Sequence, residues 1–283
     1  MMTSPLVQTD WLQDHLTDTD LRIIEIRGKV LPPTEPPPHY LSDRAGYEAA
    51  HIPGAVYVDW QVDIVEPGSP SNDIASPARF SALMQALGVS GRSRVVIADD
   101  AGGMFATRLR WALRYYGHEA VQILDGGWTK WIAEGRTTSA DIPQYPRGGF
   151  QARANPRLIA TAEDILQSLA DGGMQLIDTR SPGEFSGVAS RAKHVGHIPT
   201  AINLPRSVLV ADDLTLKPAD ELRLVMEGSN IDLNAEDCVL YCNSGVSATY
   251  GMLAMEVLGA KNLRIYDGSW KDWGSDPATP KAR

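Results

Sequence analysis

The chain repeats itself, and a repeat constrains a fold more than any single motif because one supersecondary pattern has to occur twice. Leu6-Val7-Gln8-Thr9, ahead of an apolar helical pattern, returns as Leu158-Ile159-Ala160-Thr161, and Ile24-Glu25-Ile26-Arg27 returns as Ile177-Asp178-Thr179-Arg180. His51-Ile52-Pro53 returns as His197-Ile198-Pro199, and Asp125-Gly126-Gly127-Trp128 with Trp131 returns as Asp267-Gly268-Ser269-Trp270 with Trp273. The offsets are 152, 153, 146 and 142 residues, a slow drift that means the same elements in the same order with loops of different length. A length of 283 residues suits two domains. The expected boundaries are 1–140 and 158–283, joined by a polar, Pro/Gly-containing linker over 141–157.

Within each half, short β-rich runs alternate with helical ones. Arg22–Ile26, Arg94–Ala98 and Val121–Leu124 read as buried strands, as do Gln175–Ile177, Cys238–Tyr241 and Leu263–Ile265. Ala106–Tyr116 and Ala248–Leu258 read as the helices after the middle strands. Thr9 and Thr161 stand where helix N-caps belong, Thr161 with Asp164 approximating a capping box. Strand, helix, strand, helix predicts an α/β fold in which each half is a mainly parallel sheet covered by helices on both faces. Between Arg27 and His51, Pro32, Pro33, Pro36, Pro37 and Pro38 argue against a regular element.

Composition excludes several functions. There are 26 Lys and Arg against 35 Asp and Glu, a net charge of −9, with no basic run, which argues against nucleic acid or an anionic membrane as partner. No window holds the 18 or so consecutive apolar residues of a membrane span, and the N-terminus lacks the basic and apolar segments of a leader, so a cytoplasmic protein is expected. Two cysteines make neither a disulfide framework nor a four-Cys zinc site. His194 and His197 lack an evident third ligand, so no metal is expected.

The duplication acts as an internal control: what both halves share is expected to be scaffold. His51 and His197 then hold turns, and Trp128, Trp131, Trp270 and Trp273 pack the core. The middle strand breaks the symmetry. Val239-Leu240-Tyr241 runs into Cys242-Asn243-Ser244-Gly245-Val246-Ser247 and a helix, whereas Val95-Val96-Ile97-Ala98 runs into Asp99-Asp100-Ala101-Gly102-Gly103. A cysteine at the carboxyl end of a parallel strand sits where open α/β sheets bind ligands. Loop amides and the following helix N-terminus both favour thiolate over thiol. Cys238 is expected to be an inert strand residue: four extended residues at about 3.3 Å each put it about 13 Å from Cys242, beyond the ~7 Å limit for a disulfide.

With these residues in view, the chain resembles the tandem-domain rhodanese-type sulfurtransferases over essentially its whole length. The resemblance rests on Ile24–Arg27, His51-Ile52-Pro53-Gly54-Ala55, Asp178–Phe185, Gly196-His197-Ile198-Pro199, the Cys242 loop and Asp267–Trp270. It implies a silent first domain, a catalytic second one, and substrate entering between them. It also implies ping-pong transfer of sulfane sulfur through a Cys242 persulfide, with no cofactor or metal. Asn243, Ser244, Gly245, Val246 and Ser247 would bind the persulfide and substrate. The partners implied are a small anionic sulfur donor and a thiol, protein cysteine or cyanide acceptor, the protein being a monomer or weak oligomer.

The donor is read from finer features. Cys-Asn-Ser-Gly-Val-Ser resembles the loop of 3-mercaptopyruvate sulfurtransferases, and Asp59 matches an aspartate that this subgroup contributes from the first domain. Yet Glu184 stands where that subgroup usually has arginine, Ser71-Asn72-Asp73-Ile74 offers no histidine, and Ser181–Phe185 is closer to bacterial thiosulfate sulfurtransferases. Thiosulfate is therefore the favoured donor, with Arg191 and Lys193 as the expected anion-binding cations. A cysteine phosphatase or arsenate reductase would need Cys-x5-Arg, and the sixth residue after Cys242 is Ala248. The alternative from another class is a persulfide carrier that only hands sulfur between proteins.

Overall fold

The computed structural model describes residues 4–32, 34–36 and 38–283. The first half runs β1 (Leu6–Val7), α1 (Thr9–His15), β2 (Leu21–Glu25), β3 (Gly28–Val30), β4 (Tyr40–Ser42), α2 (Arg44–Ala49), β5 (Ala55–Tyr57), α3 (Pro77–Ala86), β6 (Arg94–Ala98), α4 (Met104–Tyr115), β7 (Val121–Leu124) and α5 (Gly127–Ala133). The second runs β8 (Ile159–Ala160), α6 (Ala162–Asp171), β9 (Gln175–Asp178), α7 (Pro182–Phe185), β10 (Ile202–Asn203), α8 (Ala219–Gly228), β11 (Cys238–Tyr241), α9 (Ser247–Val257), β12 (Leu263–Tyr266) and α10 (Ser269–Trp273). Among the described residues, each half forms a five-stranded sheet, ordered β1-β7-β6-β2-β5 and β8-β12-β11-β9-β10, with every pairing parallel. The two orders are equivalent strand for strand, as the repeat requires.

Apart from Arg94 at the start of β6, the middle strands are apolar because both of their faces are covered. Their alternation decides which face Cys242 shares. Val96 and Ala98 belong to an apolar cluster confined to the first half, and Val239 and Tyr241 to one confined to the second. Val95, Ile97, Cys238, Leu240 and Cys242 belong to a third cluster that continues through both halves. The side-chain period of two thus puts Cys242 on the side facing the other domain.

The recurring motifs interlock. Arg27 is ion-paired with Glu25, donates to the carbonyl of Ala50 just before His51 (2.7 Å), and lies 3.9 Å from the ring centroid of Trp128. Arg180 repeats this with Asp178, the carbonyl of Gly196 just before His197 (2.7 Å), and Trp270 (4.6 Å). His51 and His197 stack on Tyr47 and Phe185, each with Nδ1 2.8 Å from that residue's carbonyl. Trp131, Trp270 and Trp273 are almost wholly enclosed.

Two local expectations need correction. Thr161 caps α6 with a full capping box, but Thr9 is the first residue of α1 rather than its cap; its hydroxyl instead donates to the Glu134 carboxylate. The proline-rich excursion is not merely irregular, because β3 and β4 pair antiparallel as a hairpin. Pro32, Pro36 and Pro38 lie at its tip, outside the strands, while Pro33 and Pro37 lie outside the described residues. The proline-free flanks are able to pair. Residues 141–155 contain no helix or strand and are docked along the first half, through Tyr145 on Gly54, Gly148 on Gln85 and the buried Phe150 on Val89. Among the described residues no helix is long and apolar enough to cross a membrane.

Candidate active site

Cys242 follows β11 directly and opens the turn into α9, and each polar backbone group of that turn can be traced. The Cys242 carbonyl accepts from Trp270 N–H (2.9 Å) and the Asn243 carbonyl from Lys271 N–H (2.9 Å), both at the start of α10. The Gly245 carbonyl accepts from Arg108 Nη1 (3.3 Å), a residue of α4 in the other half. In a trans peptide the C=O and the next N–H point oppositely. The amides of Asn243, Ser244 and Val246 are therefore turned away from those partners, and none of the three finds an acceptor among the described residues. Cys242 N–H and Gly245 N–H both donate to Ser269 Oγ (3.2 and 3.0 Å). Gly245 has φ +70°, and a Cβ there would lie 2.6 Å from Arg108 Nη1, so the turn admits no larger residue.

The first half shows what a turn at this place holds. Asp99, in the position of Cys242, accepts four backbone N–H bonds from Ala101 (3.0 Å), Gly103 (2.8 Å), Phe105 (2.8 Å) and Ala106 (2.9 Å). A carboxylate with four converging amides is an anion in a nest. In the second half a turn of the same length occupies this place, left-handed at Gly245 as at Gly102 but right-handed at Val246 (φ −85°) where Gly103 has φ +80°, and a thiol stands in place of the carboxylate.

Cys242 is only 3% exposed, yet it lines a cavity of about 210 Å³ instead of being sealed in apolar packing. The second half contributes Arg180, Glu184, Arg191, Arg206, Asn243 and Ser244 to the wall, and the first contributes Val30, Tyr40 and Met104. Glu184 Oε1 accepts from Asn243 Nδ2 (2.8 Å) and from Arg191 Nη1 (2.7 Å), while Ser181 Oγ donates to its Oε2 (3.0 Å). Arg206 reaches the carbonyls of Ala101 and Gly102, and burial lowers its pKa. Burial also raises the Tyr40 phenol pKa; the Ser244 hydroxyl opposes this and Cys242 adds to it. Arg180 Nη1, Arg191 Nε, Arg206 Nε and Asn243 Oδ1 are buried with no hydrogen-bond partner among the described residues, so unspent polar capacity gathers around this cavity. Three guanidinium groups against one carboxylate make its wall suited to an anion.

The cavity brings together Cys242, Asn243, Ser244, Val246, Ser247 and Arg191; Gly245 closes the turn behind them. It does not include Lys193, which is exposed and outside the lining. Asp59 is also elsewhere: it accepts from Ser42 Oγ (2.7 Å) and Gln61 N–H (2.9 Å) at the foot of the hairpin. Sequence reasoning missed Val30 and Tyr40, because nothing local to a proline-rich excursion says where its flanks will land. Arg206 also went unremarked, although it lies three residues beyond β10. Cys238 is enclosed in β11, where burial pushes its thiol up to about 11.

The family profile of the "Rhodanese-like domain" matches residues 8–134 and again 161–276. The chain is 33% identical to the sulfur carrier protein TtuD of Thermus thermophilus, across 98% of this chain and 96% of that protein. It is 31% identical to a putative thiosulfate sulfurtransferase of Haloferax volcanii, across 97% and 95%. Among solved structures, the 3-mercaptopyruvate sulfurtransferase SseA of Escherichia coli superposes with a TM-score of 0.84 at 31% identity, covering 95% of this chain and 99% of that one.

Proposed function

The chain belongs to the rhodanese-like family, whose domain it carries twice, and from that premise we propose that it is a sulfurtransferase working through a Cys242 persulfide. The Cys242 thiolate attacks the sulfane sulfur of an anionic donor. With thiosulfate, the new S–S bond forms as the donor's own S–S bond breaks, and sulfite leaves with that electron pair. The outer persulfide sulfur then passes to cyanide, giving thiocyanate, or to a thiol, and the Cys242 thiolate is regenerated. The single observation that carries this reading is the Asp99 nest: the position after the middle strand whose carboxylate gathers four amides in one half carries a nucleophilic sulfur in the other, with the Asn243, Ser244 and Val246 amides around it free of any acceptor among the described residues. Amides fixed before the reaction stabilise the persulfide anion without reorganising.

Thiosulfate is the donor we favour. Arg206 and the Nε of Arg191, unpartnered among the described residues, supply charge for a small anion, and Glu184, standing where 3-mercaptopyruvate sulfurtransferases usually carry arginine, leaves no guanidinium at that position to bind a carboxylate. Division into domains 1–140 and 158–283 about a linker at 141–157, and a cytoplasmic site of action, belong to the same reading; a reducing compartment keeps both free thiols available.

The test loads the protein with thiosulfate and measures sulfite release, thiocyanate formation with cyanide, and the mass of the Cys242 peptide. The expected result is a gain of one sulfur atom on Cys242, discharged by cyanide and lost in a folded Cys242→Ser variant. Turnover retained by that variant would contradict the assignment. The likeness to a protein named a sulfur carrier supports a second reading. If Cys242 accepts sulfur from a cysteine desulfurase but neither thiosulfate nor 3-mercaptopyruvate gives product, the chain is a carrier, not a small-molecule enzyme.

A further inference from the structure

Ser269 is wholly buried and has φ +54°, in the left-handed region that residues bearing a Cβ rarely adopt. The silent half has glycine at the matching position, Gly127, with φ +56°, so the backbone there is met without strain. The active half has instead placed a hydroxyl at a strained position, and a strained residue persists where its side chain is used.

That use is visible in its bonds. Ser269 Oγ accepts from Cys242 N–H at 3.2 Å and Gly245 N–H at 3.0 Å, and donates to the Tyr266 carbonyl at 2.8 Å, which fixes where its lone pairs point. Those amides begin and nearly end the catalytic turn. Drawing both onto one oxygen closes the turn into a ring, with the free amides of Asn243, Ser244 and Val246 on its other side. The first half needs no such atom, because the Asp99 carboxylate gathers its own turn from within. A thiol accepts hydrogen bonds weakly and is unable to do the same.

We propose that Ser269 is a positioning residue that preforms the anion-binding turn around Cys242, replacing from outside the organisation that Asp99 supplies from inside in the silent half. This rests on the persulfide reading and deepens it by assigning a residue that never touches the substrate.

The experiment compares wild type with Ser269→Gly, the residue the silent half carries at this φ, and with Ser269→Ala. The melting temperature, the single-turnover rate of Cys242 persulfide formation from thiosulfate, and the pH profile of Cys242 alkylation are measured for each. Ser269→Gly relieves the strain but leaves the buried Cys242 and Gly245 amides without their acceptor, so it should melt below wild type while staying folded at the assay temperature, and form persulfide at least about tenfold more slowly. Its alkylation profile should move to higher pH, a change that a merely structural role would not produce. Ser269→Ala keeps the strain and loses the hydroxyl, so it should match Ser269→Gly in rate and profile and melt lower. Native rates and profile in Ser269→Gly would overturn the proposal. So would a slow Ser269→Gly variant whose alkylation profile stays native, since the hydroxyl would then be holding the fold and not the anion-binding turn. Absence of persulfide in the wild type would count against the sulfurtransferase reading alone, leaving the alkylation profile to decide the role of Ser269.

Discussion

Asp99 and Glu184 show how differently two acidic side chains serve the same molecule. Asp99 accepts four amides at a 1% exposed position, so Asp99→Ala leaves several donors buried and unpaired. The expected loss is about 2 to 4 kcal/mol of stability with little change in turnover, checked by denaturant titration beside a thiosulfate assay. Glu184 lies inside the cavity and ties up Arg191. Glu184→Gln keeps its size, removes the charge facing an anionic donor and frees the guanidinium; KM for thiosulfate should fall by about tenfold, or about 1.4 kcal/mol. An unchanged or higher KM would show that Arg191 binds no donor. Cys242 itself was legible from the chain, because the comparison between halves isolates it. The carboxylate that occupies Arg191 was not, since Glu184 and Arg191 meet only when α7 and the loop after it fold back against each other.

At the scale of elements, α4 belongs to the first half yet holds the Cys242 turn of the second. Arg108 on α4 is 1% exposed, ion-paired with Asp267, and donates to the Gly245 carbonyl, while Thr249 on α9 donates to Thr107 beside it (3.0 Å). Arg108→Ala leaves Asp267 buried without its partner and releases the peptide that orients the Val246 amide. Stability should drop by about 3 kcal/mol and turnover by about tenfold to a hundredfold, read from melting curves and initial rates. A turnover unchanged at a temperature where the variant stays folded would deny Arg108 any hold on the loop. Strands β6, β7 and β11 were read from their apolar runs to the residue, because strands buried on both faces tolerate little else. The β3–β4 hairpin escaped notice because its strands are three residues long and flank a proline-rich tip, while a contact anchoring its base, Gly28 N–H to Asp100 (2.9 Å), lies 72 residues away in sequence.

For the molecule as a whole, the pseudo-twofold repeat becomes a clasp. Asp267 accepts from Ile74 N–H (2.8 Å), and its counterpart Asp125 accepts from Leu216 N–H (2.9 Å), each reaching across to the opposite half. One apolar cluster runs through both halves across this interface. Calorimetry should therefore record a single transition with equal calorimetric and van't Hoff enthalpies, whereas two separated transitions would mean that the halves unfold independently. The order of elements, the twofold repeat, the parallel sheets and the proposal of Cys242 as nucleophile came from the sequence itself, because periodicity and the Cys-for-Asp exchange are local and each half calibrates the other. Only the tertiary structure decided that Val30, Tyr40 and Met104 of the first half line the Cys242 cavity, that Arg108 holds its turn, and that Lys193 and Asp59 lie elsewhere. Those outcomes depend on how the two halves pack, α4 against α9, and the free energy of that packing comes from contacts between residues more than a hundred positions apart, which no local pattern encodes.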